Sequence, residues 1–222
     1  MTAAAARELS LGLMEVTGWA PSLAAIDAAE KAAAIRVLQV ELNDLYGACA
    51  KLVGAPADLA AALAAGRAAA EGMNAACVTR LIPAPDPASR AAYEARPEFN
   101  PLIEQHVVSV PKPMRSSSSS EEPAPMSEQA PFAIGIIETQ GLTAVIDAVD
   151  AAVKAANVEV LGREKLGGGY VAVVLRGDVA AVSAAVVAGR EKIETMGLGK
   201  LIATHVIARP STAVLGLIAK FP

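Results

Sequence analysis

Apolar and polar positions fall into one recurring order along the second half of the chain. Residues 132–139 form an apolar run with β-branched members, the pattern of a buried strand. Gly141 ends it. Over 142–156, Leu142, Val145, Ile146, Val149 and Val153 recur at helical spacing, with Asp147, Asp150 and Lys154 on the other side. Residues 158–166 and 170–175 flank Gly167-Gly168-Gly169, which predicts two antiparallel strands joined by a glycine turn. Asp178 is placed to cap a second helix over 179–196, which Gly197 and Gly199 terminate. A last strand over 200–208 stops before Pro210. This order, βαββαβ, is solved by an antiparallel sheet with two helices on one face, so the predicted class is α+β.

The first half follows the same plan. Strands are expected over 10–16, 36–42, 46–53 and 76–82, and helices over 22–34 and 57–74. Residues 11–67 align with 134–190 at a constant offset of 123, without gaps, giving 21 identities in 57 pairs. Nine of these are Ala–Ala, which an alanine-rich chain yields cheaply, so the other 12 carry the argument. They include Glu15 with Glu138, Gly18 with Gly141, Asp27 with Asp150, Lys31 with Lys154, and Arg67 with Arg190. The chain is therefore two tandem copies of one small domain, an arrangement that serves symmetric assembly.

The expected boundaries are a first domain with a C-terminal extension over 9–107, a linker over 108–130 and a second domain over 131–222. Residues 88–96 and 101–106 are expected to add short helical pieces to the extension. From Pro111 to Gln129, prolines, the Ser116–Ser120 run and an acidic pair leave too little apolar surface to offset ordering entropy, which predicts a flexible linker.

Net charge of −4 and only 3% aromatic residues argue against a nucleic-acid partner. No uncharged stretch approaches the roughly 18 residues of a membrane span, and the first ten residues do not read as a secretory signal. Cys49 and Cys77 both fall in the first copy, so they form no disulfide framework, and a reducing cytosol fits them. Cys49, on an apolar strand, is expected to pack. His106 and His205 have no ligand spacing to a partner, so no metal or other cofactor is expected. Asp27, Asp150, Glu15 and Glu138 are expected to be surface positions of a duplicated domain. No convergent set of titratable residues suggests an enzyme.

Several short motifs of the second copy recur in the order known from one family. They are Gly135-Ile136-Ile137-Glu138-Thr139-x-Gly141-Leu142, Asp150-Ala151-x-x-Lys154-Ala155-Ala156-Asn157-Val158, Glu164-Lys165-Leu166-Gly167-Gly168-Gly169-Tyr170, Arg176-Gly177-Asp178-Val179 and His205-Val206-Ile207-x-Arg209-Pro210. On these residues the chain resembles the bacterial microcompartment shell domain, and two such domains resemble the unpermuted tandem, trimer-forming shell proteins. The first copy matches more weakly: it lacks the triple glycine and has Ala84 near the Arg209 position and Ala34 at the Asn157 position.

The resemblance implies a non-enzymatic structural role. Three chains would form a pseudohexameric tile with a central pore for metabolites, located in a cytoplasmic microcompartment. Implied partners are further copies of itself, hexameric and pentameric shell proteins, and encapsulated enzymes. It places Gly167, Gly168 and Gly169 at the pore, and the ungapped frame adds Asn43, Asp44 and Leu45 from the first copy. It places Lys31, Lys154, Asn157 and Arg209 at tile edges. Some such proteins hold an iron–sulfur cluster through a loop cysteine, which this loop does not have. The competing reading is a trimeric small-molecule-binding regulatory protein of α+β fold, which predicts a defined pocket.

Overall fold

The computed structural model of the chain describes residues 10–43, 47–101, 105–111, 132–197 and 199–218. The first copy consists of β1 (Ser10–Val16), α1 (Trp19–Ala32), β2 (Arg36–Leu42), β3 (Ala48–Gly54), α2 (Pro56–Gly72) and β4 (Cys77–Ile82). A 3-10 turn (Pro87–Ser89) leads into the single-turn helix α3 (Arg90–Tyr93), then β5 (Glu98–Asn100) and β6 (Gln105–Ser109). The second copy holds β7 (Ala133–Gln140), α4 (Leu142–Ala155), β8 (Glu159–Gly167), β9 (Tyr170–Gly177), α5 (Val179–Met196), β10 (Lys200–Ala208) and α6 (Thr212–Ile218).

Each copy builds an antiparallel sheet with the same strand order, β4-β1-β3-β2 in the first and β10-β7-β9-β8 in the second. Both β2 and β8 shift register at the same place, between Val37 and Gln39 and between Val160 and Gly162. The copies diverge in the last strand. Glu15 pairs with Val78, whereas Glu138 pairs with Ala203, so the equivalence moves on by two residues there. Ala84 then matches Arg209, and Pro87–Tyr93 matches Thr212–Ile218.

The helices lie close on the sheets because small residues let them. A Cβ on Gly12 would touch Leu59 at 3.0 Å, and one on Gly135 would meet Val186 at 2.6 Å. The cores are continuous across the copies: Trp19 and Leu23 of α1 share one buried cluster with Ile134, Val214 and Leu217. A second cluster joins Ile137, Val145 and Val182 within the second copy.

The extension departs from expectation. Residues 101–106 were expected to be helical, yet Gln105–Ser109 is a strand. It pairs with β2 at Val40 and Glu41 and with β5, lengthening the first sheet to six strands. The β-branched pair Val107-Val108 suits that open edge better than a helix. Residues 88–96 do contain a helical piece, which ends at Tyr93. Helix α1 begins three residues earlier than expected, taking Pro21 into its first turn, where proline costs no hydrogen bond. Most of the expected linker, residues 112–130, lies outside the described residues.

Candidate functional site

The tip of the β8–β9 hairpin is Gly167-Gly168-Gly169, with φ of 82°, 58° and 83°. All three sit in the left-handed region that a Cβ disfavours, so this sequence of conformations requires glycine. The turn is tied down from behind. Gln140 Nε2 donates to the Gly168 carbonyl at 3.2 Å, and the Gly141 N–H donates to the Gly169 carbonyl at 2.9 Å. The tip is thus a fixed backbone surface without side chains.

The β2–β3 hairpin of the first copy carries the equivalent tip. The Asn43 N–H donates to the Gly47 carbonyl at 2.9 Å, closing the turn, and Asn43 Nδ2 donates to Glu15 Oε1. Asp44 and Leu45 lie outside the described residues. The extension sits close behind both tips. Val108 of β6 pairs with Glu41 of β2, and the His106 N–H donates to the buried Glu164 of β8 at 3.4 Å. Glu41 and Glu164 are the matched positions of the two copies.

The expectation that Glu138 and Asp27 lie on the surface is overturned. Glu138 is fully buried, and Asp27 is 8% exposed. Both are used where the copies meet. The Glu138 carboxylate accepts the Trp19 N–H and the Ala20 N–H, each at 2.9 Å, at the N-terminus of α1. Burial pushes its carboxyl up, and the two backbone donors pull it partly back. Asp27 accepts the Ser211 N–H at 2.8 Å, and Glu30 accepts the Ala213 N–H at 2.8 Å. The repeat revealed that these acids are shared, but periodicity cannot show what faces them. Glu15 and Asp150 are not buried; Asp150 pairs with Lys154.

The expected edge residues separate into two groups. Lys31 Nζ pairs with Asp27 and also donates to the Ala208 carbonyl at 3.1 Å, so it stands beside Arg209 of the other copy. Arg209 itself adopts φ of 50°, and its N–H donates to the Phe132 carbonyl. Lys154 and Asn157 lie exposed at the C-terminal end of α4. The structure brings Lys31 to the residue before Arg209 and leaves Lys154 facing outward.

A cleft of about 260 Å³ opens at the meeting of the copies, lined by Gly18, Glu138, Tyr170 and Lys200 among others. Its carboxylate is already taken by the two α1 donors. Among the described residues, no group of three or more His, Cys, Asp or Glu could hold a metal ion. The thiols of Cys49 and Cys77 are both pushed up, chiefly by burial, which suits packing and not reactivity. Among the described residues no helix is long and apolar enough to cross a membrane.

Comparison with known proteins gives these features a setting. The model of the BMC domain matches twice, over residues 10–85 and 133–210. The carboxysome shell protein CsoS1 of Prochlorococcus marinus (strain MIT 9313) is 52% identical over 88 residues, covering 40% of this chain and 84% of that protein. The major carboxysome shell protein CsoS1A of Halothiobacillus neapolitanus is 46% identical over 97 residues, 44% of this chain and 98% of its own length. A solved microcompartment protein from Desulfitobacterium hafniense DCB overlaps 91% of this chain and 96% of its own at 24% identity, with a TM-score of 0.33. The two matches together take in most of the sequence, and the chain belongs to the BMC-domain family, as a bacterial microcompartment shell protein with two tandem BMC domains.

Proposed function

We propose that three chains close into a ring with pseudo-sixfold symmetry, forming a hexagonal tile whose centre is a pore for metabolites. The observation that carries this reading is the pair of equivalent hairpin tips, Asn43–Gly47 and Gly167–Gly169, on two copies already held side by side. A heterologous contact repeated between such pairs closes a ring at three chains. The rim would then alternate between bare glycine backbone and the side chains of Asn43, Asp44 and Leu45, giving threefold chemistry. A ring of Asp44 carboxylates would slow anions relative to neutral solutes.

The tile would meet hexameric and pentameric shell proteins at its edges and enclose enzymes. Edges carrying Lys31 with Arg209 alternate in this reading with edges carrying Lys154 and Asn157, where the matched position is Ala84. The role is structural, in a microcompartment, and not catalytic. The rival reading, a trimeric regulator, has the seam cleft in its favour and predicts saturable binding of a small molecule there.

Light scattering of the purified chain should return three times 22.5 kDa. Negative-stain microscopy with a hexameric shell protein should show mixed hexagonal layers. A monomer or dimer at micromolar concentration would overturn the ring, and saturable ligand binding without layers would favour the regulator.

A further inference from the structure

We infer that α4 of one chain is covered by a second copy of this chain, whose Glu15 caps the α4 N-terminus and whose β4–α3 edge packs along the helix. This rests on the ring proposed above and names the surfaces that close it.

The first ground is a matched pair of helix starts. Helices α1 and α4 follow Gly18 and Gly141, at φ of 87° and 119°, and neither has a side-chain cap from its own N-cap residue. Such starts are normally capped by Ser, Thr, Asp or Asn. Helix α1 is capped instead by Glu138, from the other copy. The equivalent donors on α4 are the N–H groups of Leu142 and Thr143, and the equivalent acid is Glu15. Glu15 is half-buried and oriented by Asn43. Within one chain it has the role of Glu138 without the helix.

The second ground is burial. Trp19 and Leu23 of α1 are 1% and 0% exposed, while their equivalents Leu142 and Ile146 are 42% and 58% exposed. The difference is local to this face. Val179 and Val187 of α5 are also exposed, but so are their equivalents Pro56 and Ala64. What the copies bury against each other on α1 is the same face that stands open on α4.

The third ground is a paired change of chemistry. Within the chain, the Ala213 N–H at the start of α6 is met by Glu30 of α1. The equivalent N–H, that of Ala88, is met by its own Asp86 at 2.8 Å. It needs no acid from a neighbouring helix, and the residue equivalent to Glu30 is the apolar Val153, 40% exposed. The need and the supply disappear together. Val78, directly across from Glu15 on β4 and 66% exposed, offers the matching apolar surface.

Sedimentation of the full chain over a concentration series tests this. Wild type should be trimeric. Ile146→Glu should be monomeric at the same concentrations, with an unchanged far-UV circular dichroism spectrum. Val187→Glu, an equal change on the face that stays exposed, should remain trimeric. Glu15→Gln should raise the concentration of half-dissociation about thirtyfold: one charge-assisted contact is lost at each of three seams, about tenfold apiece, and a trimer's midpoint moves as the square root of its dissociation constant. Should Ile146→Glu fail to fold, Val78→Glu probes the same seam from its other side. A wild-type trimer undisturbed by Ile146→Glu or Val78→Glu would overturn these surfaces while leaving the ring. A wild-type monomer would remove both.

Discussion

Gly66 of α2 crosses Ala25 of α1 so closely that a Cβ on the glycine would lie 2.9 Å from the Ala25 carbonyl oxygen and 2.4 Å from Met14 Sδ. Gly189 repeats the crossing over the Ala148 carbonyl, at 3.1 Å. An alanine at Gly66 gains up to about 1 kcal/mol of helix propensity. It also forces apart two packed helices, which costs about 1–3 kcal/mol. Gly66→Ala should therefore lower the thermal midpoint. Gly72→Ala, with nothing within 4 Å of the new methyl, should leave it unchanged or raise it.

Glu138 should make stability fall as pH rises. Burial lifts its folded-state carboxyl above the ordinary value of 4.5, so the folded chain holds this proton more tightly than the unfolded chain does. The stabilisation is fully present below the unfolded value and is lost as pH climbs through the folded one. Urea midpoints of wild type and Glu138→Gln, measured at pH 5 and pH 8 and one chain concentration, should show a steeper fall for wild type. Parallel pH profiles would mean that the α1 donors already hold the carboxylate at its usual value.

Gln39 should act as the clasp of the extension. It is 1% exposed, accepts the Ala95 N–H at 3.0 Å and returns a bond to the Ala95 carbonyl at 3.3 Å. It also accepts from the buried Lys51, which is shared with Glu41. Gln39→Ala strands these groups, at about 1–3 kcal/mol for an unsatisfied buried partner. Hydrogen exchange should quicken over β5 and β6 while β7 and β9 keep their protection. A uniform rise across both sheets would show that the bond is not a local clasp.

If the proposed tile forms layers, Lys154→Ala should weaken them and leave the fold and the proposed trimer as they are. Lys154 is 73% exposed and paired only to its helical neighbour Asp150 among the described residues, so its removal takes nothing from the core. Layers of undiminished size at matched salt would remove Lys154 from the edge.

Much of the fold was legible because the periodic segments are long. β1, β2, α5 and β10 run between the residues that hydrophobic spacing and glycine punctuation mark out. The repeat supplied a second reading of each element. What it could not supply was the exterior of each element. Gln105–Ser109 is a strand because β2 offers it an edge, and Glu98–Asn100 is one because β6 then offers the next, tertiary facts of which Val107-Val108 is the one local trace. Helix α6 is seven residues long, too short for periodicity to declare, and it exists because Val214 and Leu217 bury against α1. Glu138 looked like a surface acid because a matched position says that a residue is kept, not that a helix ends in front of it. The approach of Lys31 to the Ala208 carbonyl, next to Arg209, needed the two copies in place.

The contact of Glu138 with Trp19 joins two halves of one polypeptide, and that changes what dilution can do. Its two sides meet at an effective concentration set by the tether between them, however few molecules are present. Contacts between separate chains have no such protection. For the assembly proposed above, lowering the supply of protein would therefore strip a layer into covalently paired units and no further. The smallest piece available for reassembly is already a matched pair, and in a closed ring of three chains half of the joints would be made before any encounter takes place.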